Sequence, residues 1–419
     1  YINSNDLIRR LHYIRKAGNN AAHGMKITGR ESLFSLLNLY EFVGSVLIQI
    51  GAIESFPRFR KDLIPKKPEV HIAPTSDELP DAETIKAEYP NQNSEPLVTD
   101  STPFPTCTGA GDETLISEAE TRRLFIDQML REAGWDICET HHAIVAGKAC
   151  IETEVSGMPT PSGKGYADYV LFGDDGKPLA VVEAKKAVRS EEDGRQQAEL
   201  YAQSLERTYG VKPVIYFPNG FTVKVIDQLG YTARTIMSFH SKADLQLLHQ
   251  RQTRKAIQDF AVNKDIAGRE YQIKAVKAVC ERLNKRHRRS LIVMATGTGK
   301  TRVAIAIAEL LMRNNWIKNV LFLADRISLV NQAHKNFVKL LPNETTCVLS
   351  DHDKAPDLNA RIMFSTYQTM IGYIDEEEKD FSIGRFHLIF IDEAHRSVFG
   401  KYGALFEYYD SLLNVLTEN

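Results

Sequence analysis

Two short segments of the sequence carry residue types that could bind a nucleotide together with its metal ion. The first runs from Ala295 to Thr301 and has two glycines before Lys300, and the second begins with Asp392 and Glu393. Each follows a run of apolar residues, which predicts that a buried parallel strand ends at each segment. Backbone N–H groups in such a turn bind phosphate oxygens, while the lysine and the threonine reach the outer phosphates and Mg²⁺. The pair therefore predicts binding and hydrolysis of ATP.

The residues of this predicted site have different tasks. Asp392 is expected to hold Mg²⁺ together with Thr301, and Glu393 is expected to polarise the attacking water as the catalytic residue. Gln272, about one helix upstream of the glycine-rich turn, is expected to read the amino edge of adenine, because an amide is both donor and acceptor. The residues predicted to contact ATP and its metal are Gln272, Thr296, Gly297, Thr298, Gly299, Lys300, Thr301 and Asp392.

Two further loops lie between the predicted ATP motifs. Phe322 to Arg326 and Phe364 to Met370 each include the end of another apolar run. In their order along the chain, all these segments resemble the Q motif and motifs I, Ia, Ib and II of superfamily 2 helicases and translocases, whose Ia and Ib loops contact the nucleic-acid backbone. The resemblance implies a first RecA-like lobe, with DNA contacts by Arg326 and Gln368. Ordinary loop polarity is the alternative for these two side chains.

A second set of residues could bind a divalent cation without a nucleotide. Asp168 lies on a predicted strand from Gly165 to Phe172, and Glu183 and Lys185 lie two apart at the end of a second one that starts at Pro178. The segment between the strands predicts a hairpin, and alternate residues of a strand share a face. Two carboxylates and a lysine on one face would provide oxygen ligands for Mg²⁺ and a positive charge beside them. Alternating charges on a half-buried sheet are the alternative.

The helices around the hairpin add candidates. Gln197 and Tyr201 lie one turn apart on the next predicted helix, so they share a face. In the preceding helix, Glu118 projects to the apolar side and is expected to be a further metal ligand. Glu120 points away and is explained by a helix capping box. An ordinary helical charge is the alternative for Glu118.

These residues resemble the PD-(D/E)xK nuclease fold with its accompanying Gln-x-x-x-Tyr motif. The resemblance implies that Asp168 and Glu183 bind Mg²⁺ for phosphodiester hydrolysis, with Lys185 as a third catalytic residue. It also implies that the helix with Gln197 and Tyr201 contacts DNA. The proline of the family name is absent, since alanine precedes Asp168.

A nuclease of this type directly before a superfamily 2 motor resembles the R subunit, the motor and endonuclease subunit, of type I restriction-modification enzymes. The resemblance implies a type I site-specific deoxyribonuclease, in which ATP-dependent translocation of double-stranded DNA is coupled to Mg²⁺-dependent cleavage. It further implies a cytoplasmic complex with modification (methyltransferase) and specificity subunits. A DEAH-type RNA helicase and a non-catalytic DNA-bound scaffold are the alternatives, and the upstream carboxylate pair distinguishes the first of them because an RNA helicase has no need for it.

The expected fold is therefore α/β, with a PD-(D/E)xK nuclease domain at residues 112–260 and a RecA-like lobe at residues 261–419. Residues 1–60 are expected to form a small all-α domain similar to HEPN domains, although Arg15 and His23 are too far apart for the RNase pattern of that group. Residues 61–111 contain eight of the chain's 16 prolines, which predicts an extended linker. The chain is expected to be an N-terminal fragment, because the second RecA-like lobe is not in this sequence.

Composition narrows the class of protein further. The net charge is -2, so a nucleic-acid partner must be argued from local basic residues. The densest cluster, from Arg282 to Arg289, is expected to be either a solvated helix end or a DNA backbone contact, and Lys185, Lys186 and Arg189 are better placed for phosphates.

The five cysteines form no CxxC pair, which fits a reducing cytoplasm and argues against a zinc site. No apolar run approaches about 20 residues, so membrane association is not expected.

Overall fold

The chain divides into two units, one of Tyr1–Leu39 with Glu118–Asn419 and the other of Tyr40–Ser117. The computed structural model describes residues 10, 11, 14, 29–54, 126–184, 191–218, 223–254, 261–349, 356–375, 381–392, 402, 403 and 405–418. Both sheets of the molecule lie in the first unit. Residues 126–254, the first-sheet domain, and residues 261–418, the second-sheet domain, share one continuous cluster of buried apolar side chains.

Within the region expected to be all-α, helix α1 spans Gly29–Gln49. Leu36 and Val43 on this helix are exposed. Arg15 and His23 of the predicted helical domain lie outside the described residues. The predicted linker, residues 61–111, also lies outside them.

The first sheet contains, within the described ranges, seven strands in the order β1-β2-β3-β4-β5-β6-β7. The pairs β1–β2 and β4–β5 are parallel, and the other neighbours are antiparallel. The strands are β1 Ile137–Cys138, β2 Ala149–Ser156, β3 Lys164–Phe172, β4 Pro178–Val182, β5 Val214–Tyr216, β6 Val223–Ile226 and β7 Arg234–Ile236. Helix α2, Glu191–Tyr209, packs against β2, β4 and β5, and α3, Lys242–Arg251, follows β7.

The β3–β4 hairpin confirms the turn signal in the sequence. Gly173 N donates to Lys177 O at 2.8 Å, and Gly176 has a φ of 74°, a conformation that glycine adopts at little cost. Strand β4 ends at Val182 rather than at Lys185 as predicted. Glu183 N still donates to the neighbouring Tyr216 O at 3.0 Å, so this residue is held at the strand end.

The second sheet is parallel throughout and contains six strands among the described residues, in the order β10-β11-β9-β12-β13-β8. Its strands are β8 Arg289–Val293, β9 Val320–Ala324, β10 Thr346–Val348, β11 Ile362–Thr366, β12 Leu388–Asp392 and β13 Leu412–Thr417. Its helices are α4 Glu270–Asn284, α5 Lys300–Arg313, α6 Ile327–Leu340 and α7 Tyr367–Asp375. Because all carboxyl ends of parallel strands meet at one edge, this sheet brings the predicted nucleotide segments to the same edge.

The burial of the two motif strands differs from the prediction that both are buried. Strand β12 is buried up to Asp392, as expected for a central strand. Strand β8 instead lies at the sheet edge, and Leu291 and Val293 are 64% and 53% exposed. In the part of the chain that the structure describes, β8 pairs only with β13, and the face that carries Leu291 and Val293 is exposed.

Aromatic packing fixes the middle of the second sheet. The ring of Phe322 on β9 lies 5.9 Å from Phe337, 5.9 Å from Phe364 and 6.2 Å from Phe390 between centroids. These side chains come from three strands and α6, so they hold the strands in register with the helix layer. The carboxyl ends of β9, β11 and β12 are positioned by this core.

Two expectations from composition can be compared with the structure. The four described cysteines, Cys138, Cys150, Cys280 and Cys347, are all free thiols. Of the helices that the structure describes, none has both the length and the apolar character required to cross a bilayer.

Candidate functional site

The glycine-rich turn joins β8 to α5, as the sequence predicts. Gly297 and Gly299 have φ values of 75° and 94°, which residues with a side chain rarely adopt. Thr298 Oγ1 donates to Ala295 O at 2.6 Å across the turn. Helix α5 begins at Lys300, so its unpaired N–H groups and the positive end of its dipole face the turn. The arrangement can bind phosphate oxygens.

Gln272 holds this turn in place. Its Nε2 donates to Thr298 O at 2.9 Å, and its Oε1 accepts a hydrogen bond from Arg269 N at 3.4 Å. The hydroxyl of Tyr271 donates to the same Thr298 carbonyl at 2.9 Å. Both ends of the Gln272 amide therefore have partners within the protein, and its predicted reading of adenine stays a prediction.

Replacing Gly299 with alanine is expected to distort the turn. A Cβ at this position would lie 2.6 Å from Gln272 Nε2, and the backbone is left-handed. The left-handed conformation alone costs about 1–2 kcal/mol for a residue with a side chain, and the clash would also displace Gln272 from Thr298. We expect reduced unfolding free energy and at least about tenfold weaker MgADP binding, which is 1.4 kcal/mol or more. Urea unfolding and nucleotide titration measure the two effects.

Gly297→Ala is the matched control for this prediction. Gly297 is also left-handed, but no heavy atom lies within 4 Å of the added Cβ. This variant should show the backbone cost without the displacement of Gln272. Equal nucleotide affinities of the two variants would contradict the role given to the Gln272 contact.

The other predicted nucleotide residues lie at the same edge of the sheet. Asp392 ends β12, and its main-chain carbonyl accepts a hydrogen bond from Tyr367 at 2.8 Å. Thr301, in the first turn of α5, is half-buried. The predicted catalytic Glu393 lies outside the described residues. A cleft of about 600 Å³, lined mostly by apolar groups of α4 and β8, reaches the turn at Thr298.

The two predicted DNA contacts of the second sheet are exposed. Arg326 follows β9 immediately before α6, and its side chain is 78% exposed with Nε 3.4 Å from Asp325. Gln368 is exposed in the first turn of α7, directly after β11. Both therefore lie at the carboxyl edge of the sheet and are accessible to a large ligand. Contact with DNA stays a prediction.

Asp168 and Glu183 lie in contact in the first-sheet domain. Asp168 Oδ2 accepts a hydrogen bond from Ala184 N at 2.6 Å, and the Asp168 backbone N–H donates to the Glu183 carboxyl group. Glu183 is 8% exposed, and its buried Oε2 has no hydrogen-bond partner among the described residues. A buried carboxyl oxygen without a donor is costly unless a proton or a cation compensates it.

Burial, together with the negative charge of Asp168, raises the pKa of Glu183 to about 9. In the absence of a cation, this carboxyl group therefore keeps its proton at neutral pH. A divalent cation between the two groups would replace the proton and use the unpartnered Oε2 as a ligand. Carboxylate oxygens are the donors that Mg²⁺ prefers, so the pair fits this ion.

Glu183→Gln is expected to remove a pH-dependent loss of stability. The unfolded chain releases the Glu183 proton above the usual pKa of 4.5, whereas the folded chain keeps it until about pH 9. The protonated Glu183 carboxyl group therefore contributes its full stabilisation of the folded protein below the unfolded-state pKa. This stabilisation is lost as the pH rises through the folded-state pKa. The loss is at most about 1.4 kcal/mol per pH unit. Urea unfolding without divalent cations, between about pH 6 and about pH 9, measures this slope.

Glu206→Gln serves as the control, because Glu206 is a half-buried glutamate on α2, away from the pair. It should keep the wild-type slope. Indistinguishable slopes for wild type and Glu183→Gln would show that Glu183 does not hold a proton in the folded protein.

The helix predicted beside the carboxylates supports the sheet. Tyr201 is 4% exposed, and its hydroxyl donates to Tyr166 O at 2.8 Å. Gln197 Nε2 donates to the Tyr201 hydroxyl at 3.4 Å. A Cβ at Gly165 would lie 2.8 Å from the Tyr201 ring, which explains the glycine at this point of β3. DNA contact stays a prediction for the half-buried Gln197, and burial argues against it for Tyr201.

Two other residues predicted at the metal site, Lys185 and Glu118, lie outside the described residues, as does Glu120. Within the described ranges, no group of three or more histidine, cysteine, aspartate or glutamate side chains is placed to hold a metal ion. The two contacting carboxyl groups are therefore the described core of this site.

A buried ionic cluster, which the sequence did not indicate, joins the two domains. Arg234 of β7 donates through Nε to Asp410 Oδ1 at 2.6 Å, and Arg288 donates through Nη2 to the same oxygen at 2.7 Å. Arg234 also lies 2.8 Å from Asp227. His240 Nε2 lies 3.2 Å from the second oxygen of Asp410. The cluster comprises Asp227, Arg234, His240, Arg288 and Asp410.

Within the basic segment from Arg282 to Arg289, the structure departs from the prediction at Arg288. Arg288 is paired with Asp410 inside the domain interface, so it is not a solvated helix-end residue. Arg282, Lys285, Arg286 and Arg289 are exposed, and Arg286 also donates to Leu229 O at 3.2 Å across the interface. Contact of these exposed residues with DNA stays a prediction.

The second-sheet domain is similar in sequence to a known protein family. Residues 265–416 match the ResIII family, described as type III restriction enzyme, res subunit. This range includes the glycine-rich turn and Asp392. Among solved structures, an HsdR subunit fragment of a type I restriction enzyme from Vibrio vulnificus YJ016 is 25% identical and covers 73% of this chain and 56% of that chain, with a TM-score of 0.30.

Two relatives from Escherichia coli match about two thirds of the chain. The type I restriction enzyme EcoKI endonuclease subunit of strain K12 is 29% identical over 343 residues, which is 68% of this chain and 29% of the relative. The type I restriction enzyme EcoAI endonuclease subunit is 30% identical over 302 residues, which is 67% of this chain and 36% of the relative. The chain thus spans about a third of the length of these relatives, and the matches extend beyond the second-sheet domain. The chain is therefore a homologue of the endonuclease subunits of type I restriction enzymes and carries a ResIII domain at residues 265–416.

Proposed function

We propose that this chain belongs to the restriction subunit of a type I restriction-modification system. In this proposal the second-sheet domain is the first RecA-like lobe of an ATP-driven translocase on double-stranded DNA. The first-sheet domain is a Mg²⁺-dependent endonuclease of the PD-(D/E)xK type. The observation that carries the proposal is the contact between Asp168 and Glu183, with its unpartnered buried oxygen, in the same unit as a glycine-rich phosphate-binding turn.

The proposed division of the whole chain follows from these sites. Residues 112–260 are the nuclease domain, residues 261–419 the motor lobe, residues 61–111 a linker and residues 1–60 a helical HEPN-like domain. The partners are double-stranded DNA and the modification and specificity subunits, and the complex acts in the cytoplasm. Support comes from the type I endonuclease subunits that match the chain.

In the proposed nuclease site, Asp168 and Glu183 hold Mg²⁺, which when bound would activate water and offset negative charge on the phosphodiester. The backbone N–H of Ala184 fixes the Asp168 carboxylate by a hydrogen bond at 2.6 Å. The strand-end pairing of Glu183 with Tyr216 holds the backbone from which the other carboxylate extends. Low exposure of Glu183 excludes competing water from that side. Lys185 is proposed to stand beside them.

In the proposed motor site, the turn with Thr296, Gly297, Thr298 and Gly299 encloses the phosphates, and Lys300 supplies positive charge to the outer ones. Thr301 and Asp392 hold Mg²⁺, and Glu393 orients water. The cleft between α4 and β8 offers an apolar surface beside the turn, and the base is proposed to lie there against Tyr271. Arg326 and Gln368 are proposed to contact the DNA backbone.

Cleavage assays separate this proposal from its two rivals. The full-length protein, assembled with its modification and specificity subunits, is incubated with ATP and Mg²⁺ and either supercoiled plasmid or structured RNA. We expect cleavage of plasmid that requires both ATP and Mg²⁺, and no cleavage of RNA. Activity on RNA alone would favour a DEAH-type RNA helicase, and the absence of both ATP hydrolysis and cleavage would favour a scaffold.

A further inference from the structure

Glu418 binds the lysine of the glycine-rich turn. Its Oε1 lies 2.6 Å from Lys300 Nζ, although the two residues are 118 positions apart in the sequence. The Lys300 side chain is 11% exposed and that of Glu418 is 38% exposed. The pair is therefore shielded on the side of the lysine and open to solvent on the side of the glutamate.

The second sheet sets the position of Glu418. Strand β13 lies between β8 and β12, and Thr417 pairs with Val293 at the ends of their strands. The pairing continues beyond β8, because Met294 N donates to Thr417 O at 3.0 Å. Glu418 is the next residue, so its backbone is held beside the start of the turn. Its side chain can rotate away from Lys300 without disturbing the sheet.

Lys300 cannot bind the Glu418 carboxylate and an outer phosphate equally strongly at the same time. A lysine ammonium is a compact point charge, and a carboxylate and a phosphate compete for the same donors. When outer phosphates reach Lys300, the Glu418 carboxylate lies close to further negative charge, and the like charges repel. The carboxylate has an exit to solvent, whereas the buried lysine does not.

We propose that Glu418 is a built-in competitor for the outer phosphates of the nucleotide. It keeps the Lys300 ammonium in place at the turn, weakens the binding of ADP and ATP, and is displaced when either binds. This inference rests on the proposed nucleotide binding by the turn.

Nucleotide titrations of three variants of the full chain test the competition. Glu418→Gln removes the charge at constant size, Glu418→Asp keeps the charge but shortens the side chain, and Glu407→Gln removes an exposed charge nearby on the chain. The probes are MgADP and AMP, followed by calorimetry. Melting temperatures show whether each variant is folded.

We expect Glu418→Gln to bind MgADP about fivefold more tightly than wild type, the size of effect typical of a partly exposed ion pair. Glu418→Asp should also bind MgADP more tightly, because its carboxylate no longer reaches Lys300. Glu407→Gln should match wild type. AMP, which lacks the outer phosphates, should bind all variants equally, and the gain for MgADP should shrink as salt is added.

Two results would overturn the inference while leaving nucleotide binding intact. One is equal MgADP affinity of wild type and Glu418→Gln. The other is tighter binding only for Glu418→Gln, with Glu418→Asp at the wild-type value and a similar gain for AMP, because this pattern reports the general field of a negative charge. Failure of the proposed function looks different, since wild type would then bind no MgADP and Lys300→Ala would change nothing.

Discussion

Asp168→Asn is expected to reduce DNA cleavage by the full-length protein by at least about 100-fold, while ATP hydrolysis continues. Asparagine keeps the size of the side chain but removes the negative charge that a divalent cation needs beside Glu183. It also replaces a carboxylate that accepts a hydrogen bond from Ala184 N at 2.6 Å. Supercoiled plasmid cleavage and phosphate release, measured in the same reaction with the partner subunits, report the two activities.

The neighbouring hairpin turn offers a matched control for this prediction. Asp174 is an aspartate of the β3–β4 turn whose side chain is 70% exposed and paired with Lys242 at 2.7 Å. Asp174→Asn should leave cleavage within about twofold of wild type, since exposed ion pairs contribute little. Lys300→Ala is the reciprocal variant and should abolish ATP-dependent translocation. If Asp168→Asn cleaves DNA within several-fold of wild type, Asp168 is not a ligand of the metal ion.

Asp410→Ala is expected to lower the free energy of unfolding by about 3–5 kcal/mol, because two buried guanidinium groups then share Asp227 as their only remaining anion within the cluster. Asp410 is 5% exposed and accepts hydrogen bonds from both Arg234 and Arg288. Although burial opposes its ionisation, the two arginines hold the pKa of Asp410 well below its usual value of 3.8. We expect a decrease in melting temperature on the order of 5–10 °C.

The difference in unfolding free energy between wild type and Asp410→Ala is expected to depend on pH in one direction. A carboxyl group with a depressed folded-state pKa contributes stability above its unfolded pKa and loses it as the pH falls through the folded value. The gap between wild type and Asp410→Ala should therefore persist through neutral pH and narrow only below about pH 3.8. Glu407→Gln, which removes an exposed charge three residues away, should melt like wild type. A loss of less than about 1 kcal/mol for Asp410→Ala would mean that the cluster adds little to the domain contact.

The carboxylate site was accessible from sequence because its residues are neighbours along the chain. Asp168 and Glu183 belong to one hairpin, and the turn between them has the glycines and aspartates that such turns require. A period of two then places their side chains on one face. The glycine-rich turn was accessible for a similar reason, since its spacing is set by the local geometry of a strand, a turn and a helix.

The ionic cluster and the Glu418 contact could not be predicted in this way. Arg234 and Asp410 are 176 positions apart, and no periodicity links a residue of one sheet to a loop of another. Strand β13, which carries Glu418 at its end, was not recognised in the apolar run from Leu412 to Leu416. Its insertion between β12 and β8 separates the two ATP motifs by one strand and places a glutamate beside Lys300.

The error at strand β8 has a physical cause. The apolar run before the glycine-rich turn predicts a buried strand, but burial depends on which elements pack around a strand, and a local pattern does not contain that information.

The charge cluster around Asp410 also limits how homologous chains can be recombined. Asp227 and Arg234 come from one side of the domain contact, and Arg288 and Asp410 from the other. A chimera that takes residues 126–254 from one homologue and residues 261–418 from another separates the pairs that cross the contact, Arg234 with Asp410 and Arg288 with Asp227. If the two parents differ in charge at one of these four positions, the hybrid buries an unmatched ion, so exchange is expected to succeed only when both halves are transferred together.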